Sequence, residues 1–230
     1  MTAPAPRRVL IVGYGRMGRI VESLCPEYGM QVAGAVDLDT SADADRWPEA
    51  DVAIDFSLPG AVPANLPRLA ARGMDVVIGT TGWQAHTERL KAETAPFPVG
   101  IVAASNFALG VNLFIALAER AAELFATHPA YGAWIHELHH AAKRDAPSGT
   151  ALTLRAALEG AGYGHPIDVA STRAGSIPGT HTVGFDGAAE TITLTHTARD
   201  RTIFARGALE AARWVAGRRG WFSMRDVLNL

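Results

Sequence analysis

Between His136 and Thr150 the chain reads His-Glu-Leu-His-His-Ala-Ala-Lys-Arg-Asp-Ala-Pro-Ser-Gly-Thr, its densest set of groups that move protons or bind anions. Imidazole titrates near neutrality and an ammonium is a ready donor, so His139, His140 and Lys143 suit general acid–base work. His139 and Lys143 are four residues apart, and a turn after His140 lets them converge on one spot. Ser148 is placed to cap a helix over the helix-forming run Ala151 to Leu158. The first N–H groups of such a helix lack internal partners and carry partial positive charge, and Gly149 lets a ligand approach them. Lys143, a His pair and an open helix N-terminus together suit a small carboxylate that exchanges a proton. The same residue types also occur as a plain surface His pair and a plain helix cap. A metal site is the lesser reading, because Cys25 is the single cysteine and no H-E-x-x-H pattern occurs; none is expected.

These groups need a strand and a helix to hold them. Ala133 to His139 alternates as a strand, with Ile135, Glu137 and His139 on one face and Trp134, His136, Leu138 and His140 on the other. Upstream, the apolar run Arg8 to Val12 reads as a buried parallel strand. Gly13-Tyr-Gly15-Arg-Met-Gly18 follows it, then a helix, then a strand over Gln31 to Val36 that ends in Asp37. This is a dinucleotide fingerprint in its β-α-β context. Gly13 makes the turn, Gly15 admits pyrophosphate, Gly18 lets helix and strand pack, and Asp37 accepts from a ribose 2′-OH. Asp39 is a second acid nearby. A carboxylate repels a 2′-phosphate, so the residues lean to NADH over NADPH, with Leu38 in place of a basic residue. Further strands end at Phe56-Ser57, at Gly79-Thr80-Thr81 and at Ala104-Ser105-Asn106-Phe107, small or polar ends that suit a nicotinamide.

Leu109 to Ala126 reads as a helix, and its stripe of Leu109, Leu113, Leu117, Leu124 and Phe125 is expected to be core. Runs at 167–172, 180–185 and 190–196 alternate as strands. The loop Arg173 to Gly179 holds one cation and two glycines, which fits either a mobile lid over an anion or an ordinary hairpin connection. A helix over Phe204 to Gly217 and an apolar tail are expected to return to the first domain. The expected fold is α/β: an N-terminal Rossmann dinucleotide-binding domain, residues 1–108 and 201–230, plus an α+β second domain, residues 109–200, with an open, mostly antiparallel or mixed sheet that binds substrate and oligomerises.

With 48% hydrophobic and 19% charged residues, the 230-residue chain is globular rather than disordered. A net charge of −2 argues against nucleic acid as a partner. A single cysteine fits a reducing cytoplasm, and no membrane segment or leader is expected.

Over nearly its whole length the chain resembles the dihydrodipicolinate reductase (4-hydroxy-tetrahydrodipicolinate reductase) family of diaminopimelate and lysine biosynthesis. The resemblance rests on Gly15-Arg-Met-Gly18, Asp55-Phe-Ser57, Gly79-Thr-Thr-Gly82, Asn106-Phe107, Glu137-Leu-His-His140, Lys143, Asp145-Ala-Pro-Ser-Gly-Thr150 and Met224-Arg-Asp-Val-Leu228. It implies NAD(P)H-dependent reduction of a small cyclic dicarboxylate with loss of water. It implies catalytic roles for His139 and Lys143, and substrate contacts from His140, Ser148, Gly149 and Thr150. It implies cofactor contacts from Gly13, Tyr14, Gly15, Arg16, Met17 and Gly18, from Asp37, from Gly79, Thr80 and Thr81, and from Ala104, Ser105, Asn106 and Phe107. It also implies a homotetramer. The alternatives are another Rossmann dehydrogenase acting on a small amino or dicarboxylic acid, and a dinucleotide-binding sensor without chemistry, which would tolerate loss of Lys143.

Overall fold

Strand β1 (Arg7–Val12) is central because Val9 to Val12 are apolar on both faces and almost wholly buried. The computed structural model describes residues 5–37 and 46–230; Leu38 and Asp39 lie outside them. β1 pairs in parallel with β2 (Met30–Val36) and with β3 (Val52–Asp55). β4 (Asp75–Ile78), β5 (Gly100–Ala103) and β10 (Gly220–Phe222) extend the sheet in the order β10-β5-β4-β3-β1-β2, every pair parallel. Alternation along β1 feeds two cores. Val9 and Ile11 pack with Val21 of α1 (Arg16–Leu24) and with Ala208 and Leu209 of α6 (Thr202–Trp214). Leu10 and Val12 pack with Leu66 and Leu69 of α2 (Val62–Ala71) and Leu90 of α3 (Thr87–Thr94). The sheet and these helices belong to a unit formed by Met1–Leu109 and Thr202–Leu230. The tail completes it, with β10 on the sheet edge and α7 (Met224–Leu228) capped by Ser223 and Asp226.

A second unit spans Gly110–Arg201. Its sheet has the order β7-β6-β8-β9, built from β6 (Gly132–His139), β7 (Ile167–Arg173), β8 (Thr180–Asp186) and β9 (Thr191–Thr197). β6 and β7 are parallel and the other pairs antiparallel. Parallel neighbours need a crossover, which α5 (Gly149–Gly160) supplies. Leu154 and Leu158 of α5 and Phe114, Ala118 and Ala122 of α4 (Leu109–Phe125) pack with Ile135, Val183 and Phe185 of the sheet.

Of the α4 stripe expected to be core, Leu109 and Phe125 pack against the buried clusters, but the three leucines between them do not. Leu113, Leu117 and Leu124 are 44%, 59% and 55% exposed. The buried face is Val111, Phe114, Ala118 and Ala122. These residues also follow helical spacing, and the two alanines let the helix approach its neighbours closely. Among the described residues no helix is long and apolar enough to cross a membrane.

Candidate active site

Glu137 is the hub of the second unit's polar site. It sits on the inward face of β6 beside Ile135 and is fully buried. A buried carboxylate is stable only if its oxygens are satisfied and its charge is paired. Arg173, opposite His139 in the β6–β7 register, supplies both needs. Its Nη2 donates to Glu137 Oε1 at 2.7 Å and its Nη1 to Oε2 at 3.0 Å. The Ser148 N–H donates to Oε1 at 3.2 Å, and His139 meets Oε2 through Nδ1 in a short hydrogen bond. Burial works against the Glu137 charge, but hydrogen bonds from Arg173, Ser171, His139 and Ser148 outweigh it and hold the pKa down at about 2. An ionised carboxylate only accepts, so His139 Nδ1 carries the hydrogen and the neutral ring has its lone pair on Nε2.

The Nε2 edge of His139 is bordered by Gly179. A Cβ at Gly179, where φ is +146°, would come within 3.0 Å of that nitrogen. The missing side chain keeps the edge uncovered. His181 stands edge-on to His139 with ring centroids 5.1 Å apart, and its Nε2 meets Ser148 Oγ at 3.1 Å. Burial first, then the nearby His139, lowers the His181 pKa to about 4, so this ring stays neutral near pH 7. Glu137, His139 and His181 each bring a ligand-type atom within 4.8 Å of the others, a spacing that a metal ion could bridge. Arg173 holds both Glu137 oxygens, and Glu137 holds His139 Nδ1.

The turn after β6 presents Lys143, whose Nζ donates to both oxygens of Asp145 at 2.7 and 2.8 Å. The Lys143 hydrogen bonds hold the Asp145 carboxyl below its usual range. Arg173 also donates to the Asp145 carbonyl at 2.6 Å, tying this turn to the hub. Ser148 then caps α5 by accepting from the Ala151 N–H. Gly149 and Thr150 follow in the first turn, where N–H groups have no partner within the helix.

In the first unit, Val12, Gly13, Gly15, Asp37 and Ser57 line a groove at the carboxyl ends of β1, β2 and β3. Gly13 has φ +89°, and a Cβ there would lie 2.6 Å from the Phe56 carbonyl oxygen. A Cβ on Gly18 would lie 2.3 Å from the Gly13 oxygen, so α1 starts against the turn. A Cβ on Gly15 would meet no atom within 4 Å. Packing does not demand a glycine there; the open cradle at a helix N-terminus fits a pyrophosphate.

Residues 7–107 match the family model for dihydrodipicolinate reductase, N-terminus, and residues 110–228 the model for dihydrodipicolinate reductase, C-terminus. The chain belongs to the dihydrodipicolinate reductase family. A protein of Acidiphilium cryptum named 4-hydroxy-tetrahydrodipicolinate reductase is 42% identical, over 98% of this chain and 99% of its own. One of the same name from Stenotrophomonas maltophilia is 43% identical over 97% and 98%. The solved structure of a dipicolinate-bound dihydrodipicolinate reductase from Paenisporosarcina sp. TG-14 shares the fold, with a TM-score of 0.80 at 23% identity over 95% of this chain and 97% of that one.

Within this reductase family fold, His139, His140, Lys143, Ser148, Gly149 and Thr150 fall on one run from the end of β6 to the start of α5. Ser148 is buried, with its hydroxyl engaged by Ala151 and His181. Gly79, Thr80, Thr81 and Ala104 to Phe107 follow the carboxyl ends of β4 and β5. Tyr14 is committed through its hydroxyl to Glu22, Met17 packs on the core, and Arg16 is exposed. Phe107 is buried, while Ser105 is exposed. Arg173, expected over an anionic ligand, instead holds Glu137. The spacing of single residues gave no sign of this pair, although a charged residue in line with Ile135 on an inward face was the available clue. His181 and Asp55 were likewise missed as site residues.

Proposed function

We propose that the chain reduces 4-hydroxy-tetrahydrodipicolinate, with loss of water, to tetrahydrodipicolinate in diaminopimelate and lysine biosynthesis, using NADH or NADPH. The observation that carries this is the Glu137-held His139, with Lys143 and the capped start of α5 on the same short run. Residues 109–200 bind the substrate and residues 1–108 with 201–230 the dinucleotide. Lys143, His140 and the N–H groups of Gly149 and Thr150 offer positive charge and donors to the two carboxylates. His139 takes or gives a proton at Nε2 while Glu137 keeps its other nitrogen protonated. Lys143 serves as a second proton donor, oriented by Asp145. Bound NADH or NADPH supplies the hydride. Gly13 to Gly18 would hold its pyrophosphate, Asp37 its ribose, and Gly79 to Thr81 with Ala104 to Phe107 its nicotinamide end.

The carboxylate of Asp37 repels a 2′-phosphate, which favours NADH. The same reading makes the protein a cytoplasmic homotetramer; light scattering tests the assembly. The test of function is a coupled assay in which a dihydrodipicolinate synthase makes the substrate from pyruvate and aspartate semialdehyde, read by cofactor absorbance with NADH and NADPH in parallel. Turnover with either is expected, faster with NADH. Cofactor binding without turnover would sink the assignment.

A further inference from the structure

The acid that ends β3 has no part in the scheme above. Val52-Ala-Ile-Asp55 is a wholly apolar strand but for Asp55, which is only 2% exposed. Its Oδ1 collects three donors: the Ser57 N–H at 2.9 Å, the Ser57 hydroxyl at 2.7 Å and the Thr80 hydroxyl at 2.8 Å. Its carbonyl oxygen accepts from the Gly79 and Thr80 N–H groups. Asp55 therefore ties the residue after β3 to the residues after β4, at the edge where ligands bind in parallel α/β sheets. Burial raises its pKa, against the pull of those hydrogen bonds. A tie between strands does not need a carboxylate that is costly to bury, because backbone ladders already join β3 to β4.

A hydroxyl has one hydrogen and two lone pairs. Both side-chain hydrogens here are spent on Asp55, and Ser57 lines the same groove as Gly13 and Asp37. We propose that Asp55 is a positioning residue for the dinucleotide: it fixes the Ser57 hydroxyl oxygen as an acceptor, so that the groove selects a hydrogen-bond donor on the cofactor. The inference rests on the reading that this groove holds a dinucleotide. The donor is an N–H of the carboxamide or a ribose hydroxyl.

The test is calorimetric binding of NADH, of its acetylpyridine analogue, which has a methyl group in place of the carboxamide nitrogen, and of an analogue lacking one ribose hydroxyl. The proteins are wild type, Ser57→Ala and the near-isosteric Asp55→Leu, each checked for native circular dichroism. Wild type is expected to bind one analogue about tenfold more weakly than NADH. Loss against the acetylpyridine compound assigns the carboxamide, and loss against the deoxy compound the ribose. Ser57→Ala is expected to abolish that discrimination, and Asp55→Leu, which removes the acceptor, to weaken NADH binding and flatten it. If Asp55→Leu does not fold, Ser57→Ala decides, since it removes the hydroxyl and leaves the carboxylate. Unchanged affinity and discrimination in Ser57→Ala overturn the proposal while leaving the dinucleotide reading intact. No binding of NADH or NADPH by wild type removes both.

Discussion

Glu137 determines which nitrogen of His139 is free to act. While the carboxylate is ionised, Nδ1–H is its donor and Nε2 is the only ring atom left to exchange a proton. An amide in its place both donates and accepts, so the ring loses its reason to keep one tautomer. Glu137→Gln is therefore expected to lower kcat by roughly two orders of magnitude or more, with a much smaller change in KM. Nitrogen-15 shifts of the His139 ring should move from one tautomer to a mixture; a well-folded variant with an unchanged ring spectrum and wild-type kcat would refute the role. Lys143 is argued differently. Its ammonium is half-buried and oriented by Asp145. Lys143→Ala is expected to cost roughly 10²-fold or more in kcat/KM. Dinucleotide affinity should stay the same, which calorimetry checks, and full turnover without the ammonium would refute its role as proton donor.

Two glycines show how elements are placed without side chains. Gly18 seats α1 on the β1 turn, and Gly207 seats α6 against residue 107, where an added Cβ would fall 1.6 Å from the Phe107 carbonyl oxygen. Neither partner is the free end of a flexible chain. Gly207→Ala is expected to destabilise the protein by about 3 kcal/mol, since backbone must move to admit one methyl. Urea unfolding measures it, and a loss under about 1 kcal/mol would mean that α6 slides freely. The β1–Gly13–α1 unit was legible in the sequence because its glycine spacing, its strand and its acid are local requirements. The face of α4 was not, because Leu113, Leu117 and Leu124 form as good an apolar stripe as Val111, Phe114, Ala118 and Ala122. What decided was how closely a helix can pack, which hydrophobicity alone does not report. The Glu137–Arg173 pair was hidden for a related reason: it depends on the register of β6 against β7, across 36 residues of sequence.

For the whole molecule, the site's pKa shifts set how stability follows pH. His181 is neutral in the fold, with a pKa of about 4 against an ordinary 6.5. The unfolded chain binds that proton more readily, so stability falls as pH drops from 6.5 towards 4. The full effect is at most about 3 kcal/mol. Glu137, at about 2 against 4.5, contributes stability that is complete above 4.5 and lost as pH falls towards 2. Asp55 acts with the opposite sign: its raised pKa means that the fold holds that proton more tightly, so its contribution declines as pH rises above the ordinary carboxylate value. The measured curve is therefore a sum, and His181 is isolated only by difference. His181→Gln keeps a polar atom to face Ser148 but cannot titrate. The gap in unfolding free energy between wild type and this variant, followed by urea at pH 7, 5.5 and 4.5, is expected to shift against wild type by about 2 kcal/mol across that range. Parallel curves would mean that His181 has the same pKa in the folded and unfolded protein, and that burial does not hold the ring beside His139 neutral.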